Sequence, residues 1–127
     1  MLNELIPLAR TLPVKSDEKN LARLKHVKRY GILLHIVDGN EIVGFVEAYR
    51  LKEIPAFPVV PWPIDDPGGK YLYVWAAACK NGYVKKLRAL RLKFNQCEWL
   101  CWHRRKYNNR LHKERINHVP EIIIPVL

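Results

Sequence analysis

The sequence predicts an α/β fold in which helices pack on one mixed, mostly antiparallel sheet. Three observations carry this reading. A capped amphipathic helix begins at Ser16, a strand-turn-strand pattern follows from residue 32, and residues 71–116 alternate strand-like and helix-like segments. The resulting order is helix, hairpin, strand, helix, strand, helix, strand, which suits a sheet with helices on its faces.

The elements follow in chain order. Residues 1–15 hold Leu2, Leu5, Ile6 and Leu8 but are interrupted by Pro7 and Pro13, so neither strand nor helix is assigned. Ser16 then caps a helix. Asp17 and Glu18 sit at its positive end, Lys25, Lys28 and Arg29 toward its negative end, and Leu21, Leu24 and Val27 form its apolar stripe. Gly31 is expected to end it in the left-handed conformation. GILLHIVDGNEIVGFVEAYRL reads as a hairpin turning at Asp38-Gly39, with Gly44 marking a bulge or a close backbone approach.

Residues 55–69 carry five of the nine prolines and end in Gly-Gly, so they form a stiff connection, with Phe57 and Trp62 expected to pack on the body. YLYVWAAACK is a strand, and an Asn81-Gly82 turn leads into a helix with Val84, Leu87, Leu90 and Phe94 on one face and Arg88 and Arg91 on its flank. QCEWLCWHRR is the next strand, KYNNRLHKERI a second, basic helix, and EIIIPVL a short terminal strand. The 127 residues are read as a single domain, 1–127.

Composition narrows the function classes. The chain is 49% hydrophobic with four Trp, against wholesale disorder. Its 22 Lys and Arg against 12 Asp and Glu give a net charge of +10, which favours polyanionic partners: nucleic acid, an acidic protein or a nucleotide cofactor. The three cysteines fit no secreted disulfide framework, the N-terminus is a poor signal peptide, and no apolar run approaches the ~18–20 residues that span a bilayer. A cytoplasmic location without membrane partner is expected. Cys97, Cys101 and His103 share a strand face, but Cys97 and Cys101 would lie ~13 Å apart, so no metal site is assigned. Cys101 and His103, ~7 Å apart, make no nucleophile pair.

A strand feeding a glycine-containing turn into a helix start is where chains hold phosphate groups. That segment here is Cys79, Lys80, Asn81, Gly82, Tyr83, Val84 and Lys85. With the element order, it resembles the GNAT superfamily of N-acetyltransferases over roughly residues 17–125. YLYVWAAACK looks like the family's fourth strand, CKNGYVKKLRAL like its cofactor loop and helix, CEWLCWHRR like the fifth strand, and YNNRLHKERI like the helix after it. The resemblance implies a diverged N-acyltransferase-like domain binding acetyl-CoA or another acyl-CoA, with an amine as acceptor and with turnover left open. It also implies that the fourth and fifth strands splay to admit the pantetheine arm.

Aligned on Gly82, the family loop's first position holds Cys79 and its last small position Val84. The fourth strand has no Asp or Glu; Glu47 and Glu98 are the substitutes considered for a base, and no catalytic residue is assigned. The alternative function is a basic nucleic-acid-binding or protein-inhibiting small protein, of a kind that suits a phage or mobile element. It would use Arg104, Arg105, Lys106, Tyr107, Arg110, Lys113 and Arg115, whose cations bind phosphates and whose aromatic stacks on bases. Trp99 and Trp102 should face opposite sides of their strand, at most one of them exposed and the other in the core.

Overall fold

The computed structural model describes residues 2–117. The expected strand at EIIIPVL and the chain end lie outside the described residues. Five strands form one sheet in the order β1-β2-β3-β4-β5: β1 is Ile32–Asp38, β2 Glu41–Leu51, β3 Tyr71–Cys79, β4 Trp99–Arg104 and β5 Arg110–Arg115. All neighbours are antiparallel except β3 and β4, which run parallel.

The N-terminal segment, unassigned from sequence, is a 3-10 turn over Leu2–Leu5 running into a short helix α1, Ile6–Ala9. Leu5, Ile6, Leu8 and Ala9 are buried with Leu24, Phe45 and Ala78, which gives the segment an apolar anchor on the sheet. Helix α2, Asp17–Tyr30, starts where expected, with Ser16 Oγ accepting from Lys19 N–H at 3.3 Å. Its end differs. Gly31 is extended, at φ −137°, because close packing and not backbone handedness demands glycine there. A Cβ at Gly31 would stand 2.6 Å from Tyr49 Cε1 and 2.8 Å from Val27 Cγ2.

The β1-β2 hairpin forms, but its two turn residues are Gly39 and Asn40, one step past the expected pair, with Asp38 opposite Glu41. Gly39 takes φ +62°, the conformation that glycine adopts without a Cβ penalty. Near Gly44 both expected features occur. The register slips after Ile36, so β2 carries an extra residue, and a Cβ on Gly44 would meet Cys79 Cβ at 3.0 Å.

On β2, Phe45, Glu47 and Tyr49 share one face, under α1 and α2, while Val46 and Ala48 share the other. That second face carries its own core of Ala48, Leu72, Cys97, Leu100 and Ile116, with Phe94 and Trp102 packed against it. The proline-rich connection has no regular structure and docks on the first face. Trp62 meets His26 with centroids 5.1 Å apart, and Phe57 meets His103 edge-on at 5.5 Å. Its far end is tied by Asp65, whose carboxylate takes Arg50 Nη2 at 2.6 Å and whose N–H donates to Tyr30 O at 2.6 Å.

The largest departure from the sequence reading is the second basic helix. Residues 110–115 are strand β5, paired antiparallel with β4 from Arg104↔Arg110 to Trp99↔Arg115. A 3-10 turn, Arg105–Tyr107, and two left-handed asparagines, Asn108 at φ +54° and Asn109 at φ +59°, reverse the chain. Asparagine tolerates this conformation better than other residues with a Cβ, which is why the reversal occurs there.

Candidate functional site

The two strands that matter most separate. β3 and β4 pair only at Tyr71↔Trp99, Leu72↔Leu100 and Tyr73↔Cys101, and β3 then continues to Cys79 without β4 beside it. The divergence opens a slot of about 390 Å³. Val74, Ala76 and Ala77 line one wall, Trp102 and His103 the other, and Leu87 and Phe94 the helix side. Trp102 and His103 are consecutive on a strand and point to opposite faces, so the slot passes through the plane of the sheet.

Helix α3, Val84–Ala89, continues as a 3-10 turn over Leu90–Phe94. Leu87, Leu90 and Phe94 face the slot as the expected apolar stripe, but Val84 is exposed at the mouth of the helix. Arg91, expected on the flank, is only 5% exposed. Its Nη2 donates to Glu114 Oε2 at 2.6 Å and to Arg115 O at 3.3 Å. His112 Nε2 meets Glu114 Oε1 at 2.7 Å, and the His112 ring tilts against Trp102 with centroids 4.3 Å apart. Burial pushes the Glu114 carboxyl up, but the bonds from Arg91 and His112 outweigh it and hold its pKa below the ordinary value. Glu114 therefore lines the slot as a paired carboxylate. The sequence reading missed it because its strand was taken for a helix.

The loop from Cys79 to Lys85 lies at the end of β3. Gly82 takes φ +92°, with open space where a Cβ would project. Tyr83 N–H donates to Lys80 O at 3.3 Å and Leu87 N–H to Tyr83 O at 3.0 Å, so the loop turns directly into the first turn of α3. Lys80 is ion-paired with Glu41, and Tyr83 O–H donates to Asp38, so two side chains tether the loop to the β1-β2 turn. Lys80 charge is thus partly spent inside the fold. Lys86 lies 5.8 Å from the Tyr83 ring centroid. The Cys79 thiol is half-buried, and burial raises its pKa.

Neither substitute base is placed for proton transfer in the slot. Glu47 is fully buried under α2 and held by Arg23, Glu98 is exposed ahead of β4, and neither lines the slot. Tyr73 and His103, in contrast, meet where His103, though not Tyr73, lines the slot. The Tyr73 hydroxyl lies 2.6 Å from His103 Nδ1, and His103 is among the lining residues. Burial lowers the His103 pKa and pushes the Tyr73 phenol up to about 12.

The basic set lies on the β4-β5 hairpin. Arg105, Lys106, Tyr107, Arg110, Lys113 and Arg115 are exposed and Arg104 is half-buried. Lys113 Nζ and Arg115 Cζ each lie 4.3 Å from the Trp99 ring centroid, so cations cover that ring. Arg104 Cζ lies 5.8 Å from the Trp102 ring and 5.7 Å from that of Tyr107. Both tryptophans are half-buried, one beneath cations and one along the slot, so neither is the pure core residue expected. Among the described residues, no helix is long and apolar enough to cross a membrane.

No protein-family model matches the chain, and no curated protein does. Among solved structures it is similar to GphF, a GNAT-like decarboxylase in complex with isobutyryl-CoA, at 19% identity and a TM-score of 0.59. The match covers 80% of this chain, which spans 60% of that one. With the mixed five-stranded sheet, the helices on its two faces and the parting of β3 from β4, the chain has a GNAT-like fold.

Proposed function

We propose that the protein is a GNAT-like domain that binds an acyl-CoA, its acyl-pantetheine arm in the slot between β3 and β4. The observation that carries this is the parting of those strands after Tyr73 and Cys101. The ~390 Å³ opening falls in the range of pockets that enclose small ligands. The structural neighbour was solved with isobutyryl-CoA, which supports an acyl-CoA as the ligand class.

In this reading the loop Cys79–Lys85 receives the pyrophosphate. Gly82, at positive φ with open space where a Cβ would project, keeps its approach open. Arg88, exposed and lining the slot on the same helix, adds positive charge near the phosphates. The apolar walls take the arm and the acyl group. Direct attack of an amine on the thioester would need positioning, carbonyl polarisation and removal of one proton. Calorimetric titration with isobutyryl-CoA and acetyl-CoA tests acyl-CoA binding.

A second reading is favoured by a separate observation. The β4-β5 hairpin exposes Arg105, Lys106, Arg110, Lys113 and Arg115 along one edge of the sheet, beside the half-exposed Tyr107. Such a surface is suited to the phosphates of a nucleic acid. Electrophoretic shift at low salt, with DNA and with RNA, tests it.

A further inference from the structure

We infer that His103 is a neutral hydrogen-bond donor that polarises the thioester carbonyl of an acyl-CoA in the slot, and that Tyr73 is the positioning residue that fixes its tautomer. The inference rests on the acyl-CoA reading above and names the group that would act on the bound ligand.

Tyr73 is 4% exposed, and its hydroxyl has one hydrogen-bond partner among the described residues, His103 Nδ1 at 2.6 Å. A buried phenol must place its proton on an acceptor, and burial keeps Tyr73 a phenol by raising its pKa to about 12. The O–H therefore donates to Nδ1, which must offer its lone pair. Burial disfavours the imidazolium, so the ring carries a single proton, and that proton sits on Nε2. Were the tautomer reversed, the phenolic hydrogen would be left buried without an acceptor.

The surroundings fix where that donor acts. The imidazole is held on two sides, by Tyr73 with ring centroids 5.5 Å apart and by Phe57 edge-on at 5.5 Å. Among the described residues Nε2 has no hydrogen-bond partner, and His103 lines the slot from the first face, while Val74, Leu100 and Trp102 line it from the second. Of the charged groups lining the slot, Arg91 and Glu114 are bonded to each other. A donor against apolar walls gains strength from the low local dielectric. The chemistry it complements is a carbonyl oxygen that gains negative charge, as a thioester oxygen does under attack.

The first test needs no ligand. Nitrogen-15 NMR of the native protein near neutral pH reads the His103 tautomer. The expected result is a proton on Nε2 and a bare Nδ1, and the preference should weaken in Tyr73→Phe. A proton on Nδ1 would overturn the inference even if every variant failed to fold. The second test uses isobutyryl-CoA labelled with carbon-13 at the carbonyl. Its resonance should move downfield on binding to the native protein. The shift should be lost in His103→Phe, and retained in part in His103→Gln, whose amide can still donate. Binding with the same carbonyl shift in native protein and His103→Phe would overturn this inference and leave the acyl-CoA reading standing. Absence of binding to the native protein would overturn both.

Discussion

Arg23 Nε donates to both carboxylate oxygens of Glu47, at 2.8 and 3.0 Å, in the buried layer between α2 and β2. Asn20 Oδ1 takes Arg23 Nη1 at 2.6 Å, and Nη2 has no partner among the described residues. Burial raises the Glu47 pKa, while Arg23 pulls it down. The pair clamps α2 to β2, and it occupies the carboxylate that a proton-transfer role would need. Glu47→Gln should cost ~3–5 kcal/mol, because it strands a buried guanidinium. Replacing both partners together with Leu and Met should cost less than either single change. Urea denaturation midpoints at constant slope measure the difference.

The end of α2 offers a second check. Gly31→Ala keeps an allowed backbone but drives a methyl to 2.6 Å from Tyr49 Cε1. The expected loss is ~1–3 kcal/mol, as for overpacking elsewhere. Gly31→Ala combined with Tyr49→Leu should recover much of it. Thermal melts of the two variants would separate a packing cause from a backbone cause.

Glu114 sets a pH dependence with a definite sign. Its folded-state pKa lies below the ordinary 4.5, so the unfolded chain takes up the proton first as the solution is acidified. The stability it contributes is complete above pH 4.5 and is lost as pH falls through the folded value. Glu114→Gln should therefore be less stable than native protein near pH 7 and converge with it at acid pH. Chemical denaturation at a series of pH values follows the two curves. Parallel curves would show that the Arg91 and His112 contacts do not hold in solution.

These residues mark how far the sequence could be read. α2, the first hairpin and β3 were legible because their signals are local: a capping serine, charges placed along the helix dipole, and a glycine turn between β-branched runs. Strand β5 was not. Its dense charge masked the alternation of Leu111, Lys113 and Arg115 against His112 and Glu114, and Asn108-Asn109 was not recognised as a reversal. The period-two pattern was the signal available. Arg91 was read as a flank residue because its partner, Glu114, lies on that misread strand. Tyr73 and His103 are separated by 30 positions and meet only through the parallel register of β3 and β4. The loop at Gly82 was visible as a turn, whereas the partners that tether it, Asp38 and Glu41, come from a distant hairpin.

The basic hairpin makes its own prediction. Arg105, Lys106 and Arg110 are exposed, so changing all three to Ala should leave the melting temperature nearly unchanged. If the hairpin holds nucleic acid, the variant should bind more weakly, with a salt slope shallower by about 2–3 units. Gel shift at several salt concentrations reads both quantities. Equal slopes for native and variant protein would remove nucleic acid from this surface.

If the parting of β3 and β4 makes a binding slot, calorimetric titration with isobutyryl-CoA reads its occupancy. The native protein should give saturable one-site binding. Ala77→Phe should abolish it by filling the slot. Gly82→Val should do so at the other end of the ligand, with strain of ~1–3 kcal/mol at its left-handed backbone. Both variants should still melt cooperatively. No binding by the native protein, or undiminished binding by folded Ala77→Phe, would contradict the account.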